Sequence, residues 1–399
     1  MIFSQKNTVV LVADIFTTGG IHSFMYTLSQ CLIKDGNHVV LMGKSKKQTT
    51  NNTLFPGCEM FIIPENTKFN HIAVWRICNF ILDLYAYAHT FSTISKKYNV
   101  TAIHFSHVIS AFSILALCPI AHHTKKIYTF EGDRGQELHS QHIKHPIRSC
   151  NILLSKILQK HVLQSCSTIV AVSEHSKNYL MKIFSCSEPI IVIPNSIDAS
   201  SIKLKTKFSI MRSSKAPLRI LNISRFEPRK GHILLLRAMK LLLERGIDVT
   251  LTICGPFNQH VPPILIEYER LKLFNHVLLF HSVDEKQKEY LLQSTDLSVI
   301  PSLELETCPF AIIEALAYGI PVVGTPVGGI PEMLTPIDPK LVASAITPSA
   351  LAHTIIAYHK LSFEQKMHLS RTCQLAVKKR FNANKNYHIY TKLYEDQQT

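Results

Sequence analysis

The chain has 399 residues, 46% of them hydrophobic and 18% charged, a composition typical of a globular protein that excludes a disordered one. Its length suits two domains of about 150–200 residues each. The formal net charge of +15 favours anionic partners, but it does not distinguish phosphates, anionic lipids and nucleic acid. The ten cysteines show neither a CxxC pair nor a zinc-like spacing, which predicts reduced thiols rather than disulfides or a metal centre.

The first elements form a β-loop-α-β unit. Thr8–Asp14 is a continuous apolar run, typical of a parallel strand covered on both faces. A turn ending in Gly19 and Gly20 opens the predicted helix Ile21–Lys34, and His38–Gly43 is the next strand. Such units are typical of nucleotide-binding domains, so the two glycines are candidate ligand contacts, although glycines in a tight turn need no ligand.

Strands and helices continue to alternate through the first half of the chain. The predicted elements are strand Met60–Ile63, helix Ile72–Lys97, strand Ala102–Phe105, helix Ile109–Leu117, strand Lys126–Phe130, helix Pro146–Gln164, strand Thr168–Val172, helix Glu174–Ile183 and strand Pro189–Ile193. The polar stretch of residues 199–217 has no clear period and is the predicted linker. No segment reaches about 18 uninterrupted apolar residues, and the N-terminus lacks a cleavage site, so we expect a cytoplasmic protein.

The alternation resumes after the linker. The predicted elements are strand Leu218–Ser224, helix His232–Arg245, strand Asp248–Cys254, helix Pro262–Leu273, strand Val277–Phe280, helix Glu285–Ser294, strands Asp296–Pro301 and Ile320–Gly324, and helices Ser349–Lys360, Phe363–Lys379 and Ala383–Glu395. This pattern predicts an α/β protein with two doubly wound, Rossmann-like domains that face one another across a cleft. The expected domains are residues 1–198 and 218–380, joined by the linker 199–217, with a C-terminal helix in 381–399 that packs back on the first domain.

The loop after strand Leu218–Ser224 carries two cations. Arg225 and Lys230 stand five residues apart across a proline-containing turn that leads straight into a helix. A guanidinium, an ammonium and a helix N-terminus around one point would bind an anion such as a phosphate. The alternative is a solvated turn with ordinary surface charges.

Two glutamates follow strand Asp296–Pro301 near a second helix N-terminus. Glu314 lies in the first turns of the helix, where a carboxylate can accept hydrogen bonds from the hydroxyls of a ribose. Glu306 precedes that helix, and with the backbone amides of Thr307, Cys308 and Phe310 it could line a sugar-sized pocket. The alternative is that both are surface acids favoured by the helix dipole, and only the spacing favours Glu306 over Glu304.

These motifs resemble those of a known family. The E-x7-E pattern of Glu306 and Glu314, followed by EALAYGIPVV and GGIPE, is similar to the donor-site signature of retaining GT-B glycosyltransferases of the glycosyl transferases group 1 family. ISRFEPRKGH is similar to the Arg/Lys phosphate motif of that family. AVSEHSK, IVIPNSID, TICGP and STDLSVIPS fit in the same order, so the resemblance spans nearly the whole chain and is strongest in residues 218–333.

The resemblance implies transfer of a hexosyl group from a UDP- or GDP-linked sugar, with anomeric retention and without a metal or other cofactor. Catalytic roles fall to Glu306, Arg225 and Lys230, and His107 is a further candidate that either faces the acceptor or is structural. Donor-binding roles fall to the residues carried by the matching motifs: Gly19, Gly20, Asn195, Gly255, Thr307, Cys308, Phe310 and Glu314. Glu131 and Asp133 stand where the family often has a histidine, and either could contact a sugar.

The expected acceptor is a saccharide or a lipid-linked sugar, as in surface polysaccharide, lipopolysaccharide or glycolipid synthesis. Helix Pro146–Gln164 carries Arg148, Lys156 and Lys160 among apolar residues, which either lets it lie on anionic lipid at the inner face of a membrane or simply packs it on its own domain. Two alternatives remain: a soluble-sugar synthase or phosphorylase of the same fold, and a basic nucleic-acid-binding protein. The second lacks basic motifs interleaved with aromatic residues and leaves the two glutamates unexplained, so we expect no nucleic-acid partner.

Overall fold

The computed structural model of the protein describes residues 7–15, 19–45, 55–64, 73–120, 123–132, 146–186, 189–198, 216–304 and 306–395. Its described residues divide into two compact units. The first contains those up to Ser196 together with those from Ala383 onward, and the second contains Ile197–Asn382. The predicted linker lies outside the described residues except for its last two positions.

The first unit is built on a seven-stranded parallel sheet in the order β3-β2-β1-β4-β5-β6-β7. Its interior strand β1 holds Val9, Val10, Leu11 and Val12 without solvent exposure, as expected of a strand covered on both faces. The strands are β1 (Thr8–Ile15), β2 (His38–Ser45), β3 (Glu59–Pro64), β4 (Val100–Phe105), β5 (Lys125–Phe130), β6 (Thr168–Ala171) and β7 (Ile190–Val192).

In the described part of this unit, five helices connect the strands. They are α1 (Gly20–Lys34), α2 (Ala73–Lys97), α3 (Val108–Leu117), α4 (Pro146–Ser165) and α5 (Glu174–Phe184). Helix α3 packs against both α2 and α4. The predicted cap of α5 is present, because the Ser173 side chain accepts a hydrogen bond from the Ser176 amide.

The second unit has a five-stranded parallel sheet in the order β10-β9-β8-β11-β12. The strands are β8 (Leu218–Ile223), β9 (Val249–Gly255), β10 (Val277–His281), β11 (Leu297–Ile300) and β12 (Val322–Gly324). The helices are α6 (His232–Glu244), α7 (Val261–Arg270), α8 (Glu285–Gln293), α9 (Phe310–Ala317), α10 (Ile330–Leu334), α11 (Pro348–His359) and α12 (Phe363–Arg380). Two α/β Rossmann-like domains with parallel sheets confirm the predicted fold class.

The last helix, α13 (Ala383–Glu395), packs on the first unit against α1. It presents a row of buried tyrosines to β4 and β5. The imidazole of His104 is fully buried, with Nδ1 on the Tyr394 hydroxyl and Nε2 2.7 Å from Thr129 Oγ1. Burial lowers the pKa of His104 to about 3, so this ring is a neutral hydrogen-bonding part of the core.

Some predicted boundaries in the second unit were wrong by a few residues. Helix α7 ends at Arg270 rather than Leu273, because Lys272 has a left-handed φ of 56° that does not continue a helix. Strand β12 begins at Val322 rather than Ile320, because the Ile320 amide still donates to Ala315 O at the end of α9, after Gly319 with φ of 72°.

Candidate functional site

The loops after β8 and β11 are locked together through their backbones. Gly231 has a φ of 71°, and a Cβ at this position would lie 1.9 Å from the carbonyl oxygen of Pro301. The Leu303 amide donates to Arg229 O over 2.7 Å. Because only glycine fits both the conformation and the contact, the sequence at Gly231 fixes how the two loops that carry the predicted site residues approach each other.

Lys230 and Glu306 meet where these loops touch. Lys230 Nζ lies 2.6 Å from Glu306 Oε1, and the two side chains are 15% and 6% exposed. The Ser302 hydroxyl donates to the same carboxylate oxygen over 2.5 Å. A buried ammonium and a buried carboxylate stabilise each other only when they are this close. The fold thus brings together two residues that lie 76 positions apart in the sequence.

The backbone of Glu306 is also fixed. Its carbonyl oxygen accepts a hydrogen bond of 2.8 Å from the Gly329 amide, and a Cβ on Gly328 would lie 1.9 Å from that oxygen. The GGIPE segment therefore fixes the backbone position of Glu306. Glu304, in contrast, is exposed, whereas Glu306 is buried.

Arg225 takes a different position. Its guanidinium forms a 2.8 Å ion pair with Glu227 Oε1 and is 55% exposed. Glu227 also binds Arg229 Nε at 2.8 Å. The structure thus places Lys230 in the buried cluster and Arg225 at the exposed side of the same loop, where solvent screening weakens its ion pair.

Glu314 lies in the second turn of α9, and its partner was missed by sequence reasoning. Lys288, on α8, has its Nζ 3.1 Å from Glu314 Oε1 and 3.0 Å from Glu285 Oε2. Desolvation opposes the charge of Lys288, but attraction to Glu314 and Glu285 leaves its pKa raised. Lys288 belongs to no motif and lies on another helix, so only the three-dimensional structure reveals it.

The residues around the start of α9 have buried side chains. Cys308 and Phe310 are 3% and 8% exposed, so their side chains belong to the core and only their amides could contact a ligand. Pro309 is the N-cap of α9, and within the described residues no side chain caps this helix. The Ile312 amide donates to Pro309 O over 3.1 Å, and the positive end of the helix dipole lies at this N-terminus.

A buried histidine forms a hydrogen bond with the loop that follows β8. His232 Nε2 lies 3.0 Å from Ser224 Oγ, which donates to Asn222, and Asn222 in turn donates to Val299 O on β11. Burial, followed by the charge of Lys230, lowers the pKa of His232 to about 4. The Asn222 amide thus joins β8 to β11, and the neutral His232 ring bonds to Ser224 at the end of β8. Gly255, at the end of β9, allows a close approach to β8, since a Cβ there would lie 2.0 Å from Ser224 O.

The candidate residues of the first unit lie at the carboxyl ends of its strands. Gly19, with a φ of 110°, is the N-cap of α1, and both it and Gly20 are exposed. His107 is the N-cap of α3 and is partly buried. Asn195 Nδ2 donates to Glu131 Oε2 over 3.3 Å. Asp133 lies outside the described residues.

Glu131 gives a prediction about pH. Burial raises its pKa from 4.5 to about 7, against the smaller opposite effect of the Asn195 hydrogen bond. The folded protein therefore binds this proton more tightly than the unfolded chain does. The stability that Glu131 contributes should be complete below pH 4.5 and lost as the pH rises through about 7.

Glu131→Gln should remove this dependence. We expect the variant to gain melting temperature relative to the wild type above pH 7 but not below pH 4.5. Scanning calorimetry at both pH values measures the difference. Glu269→Gln, on the exposed face of α7, is a matched control for the loss of one carboxylate. An equal difference between wild type and Glu131→Gln at both pH values would contradict the assignment.

Within the described residues, no group of three or more His, Cys, Asp and Glu side chains is placed to hold a metal ion. The prediction of metal-independent donor binding stays a prediction. Likewise, none of the helices in the described ranges is long and apolar enough to cross a membrane.

Comparisons with known proteins match the two halves of the chain separately. Residues 205–373 match the family Glycosyl transferases group 1, and residues 18–201 match Glycosyltransferase Family 4. A human phosphatidylinositol N-acetylglucosaminyltransferase subunit is 29% identical over 339 residues, which cover 83% of this chain and 64% of the human protein. The chain thus spans less than two thirds of that relative. The Escherichia coli Putative colanic acid biosynthesis glycosyltransferase WcaL is 25% identical over 186 residues, 44% of this chain and 45% of its own length.

Solved structures show the same fold. Sucrose-phosphate synthase from Thermosynechococcus elongatus superposes with a TM-score of 0.81 at 17% identity, over 97% of this chain and 98% of that one. Anabaena Alr3699/HepE in complex with UDP-glucose gives a TM-score of 0.70 at 15% identity, over 96% and 99%. The chain therefore shares the two-domain α/β fold of these structures. The second half of the chain is similar to Glycosyl transferases group 1, and the first half is similar to Glycosyltransferase Family 4.

Proposed function

We propose that this protein is a glycosyltransferase that moves a hexosyl group from a nucleoside diphosphate sugar to a saccharide or lipid-linked acceptor, with retention of anomeric configuration. The observation that carries the proposal is the buried cluster of Lys230, Glu306 and Ser302, which lies at the start of the segment leading to α9, the helix that bears Glu314. This arrangement offers a cation, a helix N-terminus and two carboxylates to one ligand.

The charges of the site suit a diphosphate donor. The leaving diphosphate gains negative charge as the bond to the sugar breaks, and a fixed cation and a helix dipole stabilise that charge. Lys230 is the buried cation, and Arg225, at the exposed side of the same loop, is the second. In this scheme Lys230 contacts the diphosphate as well as Glu306. The second oxygen of Glu306 accepts a hydrogen bond from a sugar hydroxyl, and backbone amides at the start of α9 donate to sugar oxygens.

Glu314 would bind the ribose. One of its oxygens is held by Lys288, so the carboxylate is oriented before the nucleotide arrives. Such orientation lowers the entropy cost of binding, since the side chain does not have to be ordered by the ligand. Lys288 is therefore a positioning residue in this proposal.

The retaining step uses no protein nucleophile in this scheme. The acceptor hydroxyl attacks the anomeric carbon from the face that the diphosphate leaves, and its proton passes to an oxygen of the departing phosphate. The bond from the anomeric carbon to the phosphate oxygen breaks with both electrons going to that oxygen.

The names of the relatives favour a lipid-linked acceptor. The human and Arabidopsis thaliana relatives are named for phosphatidylinositol N-acetylglucosaminyltransferase, and the Mycobacterium tuberculosis relative is a phosphatidyl-myo-inositol mannosyltransferase, 27% identical over 198 residues. WcaL and the Erwinia amylovora relative AmsK are named for polysaccharide synthesis. We place the enzyme at the inner face of a membrane, in glycolipid or surface polysaccharide synthesis.

A panel of UDP- and GDP-linked hexoses tests the function. The purified protein should slowly hydrolyse the matching donor, and proton NMR should show the released sugar first in the anomeric configuration of the donor. Inversion at the anomeric carbon would contradict retention. Failure to hydrolyse or bind any nucleotide sugar would contradict the function itself.

A further inference from the structure

The outer face of three helices in the first unit is apolar where solvent-facing helices are normally polar. Eleven exposed large hydrophobic side chains are described in this unit, and seven of them lie on α2, α3 and α4. They are Ile81, Leu82, Tyr85, Leu117, Leu153, Leu154 and Ile157. We call this surface the α2–α4 face.

The three helices form one continuous layer. Helix α3 lies between α2 and α4: the Cys118 thiol at its end donates to Ala88 O over 3.3 Å, and the Phe112 ring packs 5.1 Å from the ring of His161 on α4. The apolar residues of the two outer helices therefore flank a helix that is itself almost entirely apolar, VISAFSILAL.

On α2 the exposed stripe follows helical spacing. Cys78, Ile81, Leu82 and Tyr85 recur at i, i+3, i+4 and i+7, which places them on one side of the helix. Ile81 is 58% exposed and Tyr85 is 65% exposed. Because the opposite side of α2 packs on the sheet through Tyr87, Phe91 and Ile94, the helix is apolar on both sides.

On α4 apolar and basic residues share the exposed stripe. Leu153, Lys156, Ile157 and Lys160 follow the same i, i+3, i+4, i+7 spacing, and all are exposed. The buried side of this helix is formed by Leu158, Val162 and Leu163. Lysines beside exposed leucine and isoleucine place an ammonium at the level of lipid headgroups while their methylene chains lie on apolar surface.

The face carries almost no negative charge. Helices α3 and α4 contain no Asp or Glu, and the one acid of α2, Asp83, is bound by Lys44 Nζ at 2.5 Å. A second copy of this chain would bring like-charged lysines together across a symmetric interface, which disfavours a dimer. An anionic surface with an apolar interior matches both the charge and the apolar residues.

We propose that the α2–α4 face binds the surface of an anionic lipid bilayer, with its apolar residues below the headgroups and Lys156 and Lys160 on the phosphates. The choice of a bilayer rests on the proposed function, since a lipid-linked acceptor must be reached at a membrane. The interaction itself needs neither donor nor acceptor and can be measured alone.

Co-sedimentation of the full chain with phosphatidylcholine vesicles, with and without phosphatidylglycerol, tests the proposal. The wild type should bind the anionic vesicles, and salt should weaken the binding. Lys156→Glu/Lys160→Glu should lower the partition coefficient at least about tenfold, since each basic residue contributes about 1 kcal/mol near such a surface. Leu153→Ser/Ile157→Ser and Ile81→Ser/Tyr85→Ser should lower it as well.

Matched controls lie in the second unit. Ile266, 65% exposed on α7, becomes serine in one control, and Lys378→Glu/Lys379→Glu reverses two exposed charges at the end of α12 in the other. Both controls should bind vesicles like the wild type. Absence of wild-type binding, or equal binding by face and control variants, would overturn the proposal.

Two further measurements separate the possible outcomes. Sedimentation velocity without lipid would overturn the bilayer proposal if the wild type were a dimer that the face variants dissociate. Hydrolysis of a water-soluble nucleotide sugar should be unchanged in the face variants. If the wild type hydrolyses no nucleotide sugar, the proposed function is wrong. If it hydrolyses the donor but does not bind vesicles, only the proposal for the α2–α4 face is wrong.

Discussion

Lys230→Met is expected to reduce kcat/KM for the donor about 100- to 1,000-fold, the usual cost of removing one group that stabilises charge in the transition state. The structure adds a second consequence. Lys230 is the cation that pairs with Glu306, and both side chains are largely buried. Removal of one partner of a buried ion pair costs about 3–5 kcal/mol of stability, because the other charge stays buried without compensation. The variant should therefore lose both turnover and melting temperature.

A double variant separates these two losses. In Lys230→Met/Glu306→Gln the uncompensated carboxylate is gone, so the melting temperature should return toward that of the wild type while turnover stays low. Lys240→Met is the control: its exposed pair with Glu244 at 3.5 Å should contribute little to stability, and turnover should not change. If Lys230→Met kept wild-type turnover, the phosphate role of Lys230 would be wrong.

Glu314→Gln is expected to raise the Kd for the nucleotide about 10- to 100-fold, since a hydrogen bond to a charged group contributes about 1.5–3 kcal/mol. The amide keeps the shape of the side chain but loses the charge that Lys288 holds and one acceptor for the ribose hydroxyls. Calorimetric titration with UDP and GDP measures the change.

Turnover at saturating donor distinguishes a binding role from a catalytic one. If Glu314 binds the ribose, kcat should fall much less than kcat/KM. Glu269→Gln, an exposed carboxylate on α7, should leave both values unchanged. Unchanged nucleotide affinity in Glu314→Gln would contradict the ribose assignment.

The fold was predictable because two independent signals agreed. Continuous apolar strands such as Val9–Val12 predict a parallel sheet buried on both faces, and Gly231 and Gly319, with φ of 71° and 72°, mark turns. Local sequence determines such features. Boundaries failed where one residue decided them, as at Lys272, whose positive φ no pattern announces.

The candidate site was predictable only in part. Motif spacing selected Lys230, Glu306 and Glu314, but it did not show that Lys230 and Glu306 form an ion pair or that Arg225 pairs with Glu227. Lys288 was missed because its relation to Glu314 exists only through the packing of α8 near α9. Of the α2–α4 face, the sequence indicated only the basic and apolar residues of α4, since the contribution of α2 depends on which side of that helix meets the sheet.

Calorimetric titration of the purified protein with UDP and GDP, in parallel with a single-stranded oligonucleotide, tests the central claim most directly. We expect that one of the two nucleotides binds at one site per chain, that Glu314→Gln weakens this binding, and that the oligonucleotide does not compete for the site. Saturable binding of the oligonucleotide with no binding of either nucleotide would contradict the claim.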